Sequence, residues 1–287
     1  MAAIVIEGAA AAREVYAGLK ERVAQLALAN VRPGLAAVLV GDNPASKIYI
    51  RNKVRACAEA GIHSEVHALA AGTSPTELVE TLARLNHERD VHGILVQLPL
   101  PAHLDETLVA RTVAAQKDVD GLTWQNLGAL MAGHPGFQPC TPRGVMTMLD
   151  RAGISVEGRH AVVVGRSTIV GKPMALMLTS RSATVTVCHS RTVDLGAHTR
   201  RADILVAATG RAGLITAEMV KPGAAVIDVG INRRAGRIVG DVDFAGVKDV
   251  AGWITPVPGG VGPMTIAMVI SNTVLAAERV AASPRAS

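Results

Sequence analysis

Residues 160–173 read HAVVVGRSTIVGKP: an apolar run, then a loop of small and basic residues, then the opening of a helix. In that order the run is a buried strand, and Gly165, Arg166, Ser167 and Gly171 make the turn that joins it to the helix. Such a turn lets backbone approach a pyrophosphate, and the free N–H groups and dipole of the helix N-terminus favour the anion. The strict G-x-G-x-x-G spacing is absent, because Ser167 stands at the middle glycine and Gly171 comes one residue late. The loop alone is therefore a weak motif, equally a plain tight turn; its strand–loop–helix setting points to a nucleotide.

Working outward, the apolar runs ATVTVC (183–188), DILVAA (203–208) and AAVIDVG (224–230) follow as further strands, separated by roughly 20 residues as in a dinucleotide-binding fold. After the second strand the chain reads Cys188-His189-Ser190-Arg191-Thr192, with no acid to bind a ribose 2′-hydroxyl. Arg166 and this segment suit a 2′-phosphate, so NADP is expected over NAD. The plain alternative for Arg191 is a solvated helix start.

The first half repeats the alternation. GLAAVLV (34–40), His63 to Leu69 and GILVQL (93–98) read as strands, and Arg13 to Ala29 and Ala45 to Ala60 as helices. Ser74, Pro75 and Glu77 form a capping signal for another helix. Strands alternating with helices imply an α/β chain with parallel sheets. Residues 119–142, rich in Gly, Pro, Asn and Thr, read as a loop and hinge, with a helix from Gly144 to Asp150 opened by Pro142. A final helix is expected over Met264 to Val280, and disorder over 281–287.

The apolar fraction of 49% supports a real core, and with 2% aromatics that core is aliphatic. The charge of +5 is spread along the chain; with no basic stripe and no interleaved aromatics, nucleic-acid binding is not expected. An anionic small molecule fits the excess better. Cys57, Cys140 and Cys188 are too far apart for a disulfide framework or zinc site, so a reducing compartment, the cytoplasm, is expected. His87 and His92 lack partner ligands, so no metal is expected. No basic leader precedes an apolar stretch, and no uninterrupted apolar run of membrane-spanning length is visible.

Three polar features stand outside the nucleotide half. Tyr49 and Lys53, four apart, share a helical face; a desolvated lysine gains acid–base use, although the pair alone reads more readily as an ordinary amphipathic helix with Tyr49 at its rim. Gln97 interrupts an apolar strand near its C-terminal end, where α/β sheets bind ligands. Asp118 and Asp120 open the Gly/Pro loop, and either suits a ligand anchor or an Asx turn.

Together the stretches VGDNPASKIYIRNK (40–53), GILVQLPLP (93–101), KDVDGL (117–122), PCTPRGV (139–145), VVGRSTIVGKP (163–173), TVTVCHSRT (184–192), ATGRAG (208–213), VIDVGIN (226–232), GDVDF (240–244) and TPVPGGVGPMT (255–265) resemble the methylenetetrahydrofolate dehydrogenase/cyclohydrolase family, in order and across nearly the whole chain. The resemblance implies a folate-binding catalytic domain over 1–140, completed by 264–287, and a Rossmann-like NADP-binding domain over 141–263, with a cleft between them. It implies oxidation of 5,10-methylenetetrahydrofolate by NADP, then hydrolysis of the methenyl cation to 10-formyltetrahydrofolate. It makes Lys53 the catalytic lysine, with Tyr49 stacking on the folate, Gln97 bonding the lysine and Asp120 holding the pterin. Leu98, Pro258, Gly259, Gly260 and Val261 would border the folate. Gly165, Arg166, Ser167, Ser190 and Ile231, with Arg191, would contact the cofactor. A homodimer is implied in the same way. A folate dehydrogenase lacking the hydrolytic step, or another NADP oxidoreductase, is the alternative; retention of both Lys53 and the cofactor loop argues against the first, and the second would not explain Tyr49, Lys53, Gln97 and Asp120 together.

Overall fold

The computed structural model describes residues 2–282. They form two compact units: one contains the chain up to Arg13 together with Thr141–Thr265, the other contains Glu14–Cys140 and the chain from Ile266 on.

The second of these units is built on a three-stranded parallel sheet. Gly34–Val40 lies at its centre with all seven residues buried, flanked by His63–Leu69 and Gly93–Val96. A strand covered on both faces needs a continuous apolar run, which GLAAVLV supplies. The helix Pro75–His87 packs Leu78, Leu82 and Leu85 onto that sheet. It starts as its sequence dictates: Ser74 Oγ accepts from Glu77 N at 3.2 Å, and Ser74 N donates to the Glu77 carboxylate at 2.7 Å. The helix Pro44–Glu59 is capped by Asn43, whose Oδ1 accepts from Ala45 N at 2.9 Å and Ser46 N at 3.3 Å. That cap, with Pro44 at the first helical position, fixes where Tyr49 and Lys53 emerge.

The other unit holds a six-stranded parallel sheet in the order Ile4–Val5, Trp253–Ile254, Ala225–Asp228, Ile204–Ala207, His160–Val164, Thr184–Cys188. From His160–Val164 the chain winds first to one side and then to the other. The C-terminal ends of its central strands therefore flank a topological switch point, where such sheets bind ligands.

Ile4–Val5 pairs with Trp253–Ile254, so the start of the chain adds an edge strand to the six-stranded sheet. A two-residue strand carries no readable period. Three expectations need correction. The first helix begins at Gly8, not Arg13, because Gly8 approaches backbone: a Cβ there would lie 1.8 Å from the Gly260 carbonyl oxygen. The supposed loop over 119–142 contains a helix, Trp124–Met131, whose start is marked by Thr123 Oγ1 accepting from Asn126 N at 3.3 Å. The next helix is Cys140–Arg151, opening two residues before Pro142. The sequence reading also passed over the hairpin of Asn232–Arg234 and Arg237–Val239, turned by Ala235 and Gly236 at φ 48° and 76°; alanine rarely adopts that conformation and gives no signal for it.

The last helix, Val261–Ala282, is longer than expected and takes in two residues of the tail; 283–287 lie outside the described residues. By length and composition it is apolar enough to cross a membrane, a reading its Ser271-Asn272-Thr273 and Glu278-Arg279 breaks obscure in the sequence. Two-thirds of that apolar window is buried within the fold, as in a core helix.

Candidate active site

Lys53 lies on the inner face of Pro44–Glu59 and is only 7% exposed. Its Nζ donates to Gln97 Oε1 at 3.0 Å. Gln97 is locked in turn: its N donates to the Val38 carbonyl at 2.9 Å and its Nε2 to the Leu98 carbonyl at 2.7 Å. The strand breaks its apolar run at Gln97 because that side chain turns to the lysine. Tyr49 stands one helical turn before Lys53 and is half-buried.

Burial pushes the Lys53 amine below its ordinary range, and the nearby Asp120 carboxylate opposes that shift. Burial likewise raises Asp120, against the pull of Lys53; Asp118 adds to the rise, and a hydrogen bond from the Cys140 thiol subtracts from it. Desolvation thus moves an acid and a base toward neutrality together. Cys57, one turn beyond Lys53, is pushed up to about 12 by burial and stays a thiol.

The two aspartates of KDVDGL separate cleanly. Asp118 is buried, its Oδ1 accepting from Gly121 N at 2.9 Å and its Oδ2 from Thr123 N at 2.7 Å and Asn126 Nδ2 at 2.8 Å. It is the turn-former, leaving Asp120 to face Lys53. The segment is pinned further where Asn272 Nδ2 donates to the Val119 carbonyl at 2.8 Å and Cys140 N donates to the Asp120 carbonyl at 3.2 Å. The sequence reading had no means to find Asn272, which lies 153 residues from Val119.

In the nucleotide-binding unit the turn after His160–Val164 has the shape its sequence suggests. Gly165 sits at φ 135°, and a Cβ there would come 2.2 Å from the Ala208 carbonyl oxygen. A Cβ on Gly171 would come 2.2 Å from the Gly165 carbonyl oxygen. Ser167 Oγ accepts from Val170 N at 3.2 Å and Gly171 N at 3.3 Å, closing the turn where the middle glycine is missing. Backbone packed this tightly at a strand's C-terminal end fits a pyrophosphate. Arg166, Ser190 and Arg191 are exposed, and among the described residues neither arginine side chain forms an ion pair. Ile231 is 47% exposed, unusual for an isoleucine. Pro258, Gly259 and Gly260, in the turn after Trp253–Ile254, and Val261, the first residue of the last helix, belong to this same unit and not to the unit that holds Lys53.

Two family models match the chain: the tetrahydrofolate dehydrogenase/cyclohydrolase catalytic domain over residues 6–120, and the NAD(P)-binding domain of the same family over 139–281. A curated relative, the bifunctional protein FolD of Paracidovorax citrulli, is 58% identical over 282 residues, covering 98% of this chain and all of the relative. The crystal structure of the bifunctional FolD enzyme of Campylobacter jejuni is 48% identical with a TM-score of 0.95, over 97% of this chain and 100% of that one. The Trypanosoma brucei FolD structure, complexed with NADP cofactor and an inhibitor, is 39% identical with a TM-score of 0.94, over 99% of this chain and 100% of that one. The chain belongs to the tetrahydrofolate dehydrogenase/cyclohydrolase family.

Proposed function

We propose that this protein oxidises 5,10-methylenetetrahydrofolate with NADP and hydrolyses the resulting methenyl cation to 10-formyltetrahydrofolate. The observation that carries the reading is Lys53, buried, bonded to Gln97 at 3.0 Å and shifted toward its neutral form beside Asp120. The family match and the glycine-tight turn at Gly165–Gly171 support the dehydrogenase half.

Bound NADP supplies the hydride acceptor. Gly165, Arg166, Ser167, Ser190, Arg191 and Ile231 are the residues that would hold it. Hydride departure leaves a cation stabilised by two nitrogens, so the step asks the protein for placement rather than proton transfer. Tyr49 offers a flat surface to the folate, and Asp120 an acceptor for the N–H groups of the pterin. Hydrolysis needs proton management. Water adds to the methenyl carbon and gives up one proton, leaving a neutral hydroxyl adduct; the bond from that carbon to N5 then breaks as the hydroxyl proton is lost and N5 gains a proton, so the formyl group stays on N10 and one proton is released overall. Lys53, as the neutral amine its burial favours, takes the proton from water, while Gln97 holds its Nζ in place. Leu98 lines the folate beside Gln97. The bordering role of Pro258, Gly259, Gly260 and Val261 is part of the same proposal and rests on the sequence resemblance.

Incubation with 5,10-methylenetetrahydrofolate and NADP, following NADPH and the methenyl compound separately, tests the reading. NADPH with little methenyl build-up is expected. Accumulating methenyl compound would restrict the protein to dehydrogenation, and no NADPH with either NADP or NAD would overturn the dehydrogenase reading.

We also propose a homodimer and a cytoplasmic location. Thr184–Cys188 is an edge strand that pairs on one side only among the described residues, with Val187 39% exposed, a surface suited to self-association. Cys57, Cys140 and Cys188 are all buried and widely spaced along the chain, which suits a reducing compartment. Light scattering at micromolar concentration and cell fractionation test the two; a monomer, or an exported protein, would refute them.

A further inference from the structure

The nucleotide-binding unit buries two carboxylates that the chemistry above does not use. Asp228 ends the strand Ala225–Asp228, and both it and Asp241 are almost wholly inaccessible. Asp228 Oδ1 accepts from Gly230 N and from Asp241 N, each at 2.9 Å, and its Oδ2 accepts from Val242 N at 2.9 Å. Asp241 Oδ2 accepts from Thr209 N at 2.5 Å and Gly210 N at 3.0 Å, and its Oδ1 from Asn232 Nδ2 at 2.9 Å. Among the described residues neither forms an ion pair.

A buried carboxylate without a cation is held only if N–H donors satisfy its oxygens. Here six do, and the backbone is wrapped so closely that side chains are excluded. A Cβ on Gly240 would stand 1.8 Å from Asp228 Oδ2, and one on Gly230 would stand 2.3 Å from Asp241 Cγ. A structural anchor for one turn would not need this many tethers, and their destinations are informative. Thr209 and Gly210 follow the strand Ile204–Ala207; Gly230 and Asn232 follow Ala225–Asp228 and flank Ile231 on either side. These strands are adjacent in the sheet and continue the C-terminal edge that begins at Gly165.

We propose that Asp228 and Asp241 are positioning residues for the cofactor. They hold Thr209–Gly210 and Gly230–Asn232 as the rim that receives the part of NADP beyond its pyrophosphate. Asp241 spans the two loops, and Asp228 fixes Asp241 by accepting its backbone N–H. The inference rests on the reading that this unit binds NADP, and a wild-type protein that fails to bind NADPH would sink that reading first.

The test compares wild type, Asp241→Ala, Asp241→Asn and Asn232→Ala in NADPH titrations followed by fluorescence, in steady-state kinetics and in amide hydrogen exchange. In Asp241→Ala the Kd for NADPH and the KM for NADP are expected to rise about tenfold or more, with kcat at saturating cofactor falling less than about threefold. Exchange should speed up at Thr209 and Gly210 while the amides of Ala161–Val164 stay protected. Asp241→Asn should recover most of the affinity, because its Oδ1 still accepts from Thr209 and Gly210 once the Asn232 amide turns over. Asn232→Ala cuts a single tether and should weaken NADPH by about threefold to tenfold, so the idea remains testable if Asp241→Ala does not fold. Unchanged NADPH affinity in either alanine variant overturns the proposal. So does loss of kcat in step with affinity together with general loss of exchange protection, which would reduce the pair to a stability element.

Discussion

Lys53 and Asp120 each favour the other's ionised form, while the burial they share drives both toward neutrality. Their proton occupancy is therefore a property of the pair. Gln97 fixes the lysine's position without adding charge, which leaves burial as the largest influence on its basicity.

Replacing Lys53 by Met removes the amine bonded to Gln97 and an ionisable group that burial disfavours. Hydrolysis of the methenyl substrate should fall by about 100-fold or more, while NADPH formation from the methylene substrate persists. The melting temperature should fall, because Gln97 Oε1 loses its donor and the buried Asp120 carboxyl loses its opposing charge. Retained hydrolysis would remove Lys53 from its role.

Asp118 and Asp120 should respond oppositely to truncation. Asp118→Ala strands two buried donors, Thr123 N and one N–H of Asn126 Nδ2, while Gly121 N keeps the Asp118 carbonyl at 3.1 Å, and should cost about 2 kcal/mol or more in urea unfolding. Asp120→Ala should cost less than about 1 kcal/mol, because burial already penalises its charge, yet reduce folate turnover by about tenfold or more. Equal stability losses in the two variants would contradict the division of labour between them.

Asp228 supplies a pH dependence of known sign. Burial raises its carboxyl to about 6 from the ordinary 3.8, outweighing the three backbone N–H donors that lower it. The folded state therefore holds this proton more tightly than the unfolded chain. The resulting stability is fully present below pH 3.8 and is lost as pH rises through about 6, up to about 3 kcal/mol for this group alone. The measurement is the difference in urea-unfolding free energy between wild type and Asp228→Asn at pH 5 and pH 7. The native aspartate should be favoured more at pH 5, and an identical difference at both values would refute the shift.

Arg166 is exposed and, among the described residues, forms no ion pair, as suits a side chain reserved for a ligand anion. Arg166→Ala should lower the NADP-to-NAD ratio of kcat/KM by about tenfold, mainly through the KM for NADP. Arg191→Ala is expected to give a smaller change in the same direction. An unaltered ratio in both variants would place the 2′-phosphate elsewhere.

Local sequence determined what depends on neighbours along the chain. Apolar runs fixed the central strands, the Ser74–Glu77 box and the Asn43–Pro44 cap fixed two helix starts, and the 163–173 stretch fixed the nucleotide turn, each because strand burial, capping and turn shape are decided within a few residues. The family pattern brought in Lys53, Gln97 and Asp120, which no single spacing picks out. Tertiary structure alone decided which aspartate of KDVDGL faces the lysine, since Asp118 and Asp120 are equivalent until Gly121, Thr123 and Asn126 converge on one of them. It also placed Ile4–Val5 beside Trp253–Ile254, set Asn272 against Val119, and tied Asp228 and Asp241 into one buried network. Such pairings are formed between segments distant along the chain, where hydrogen-bond donors meet acceptors only after the sheets have closed, and a one-dimensional pattern carries no record of them.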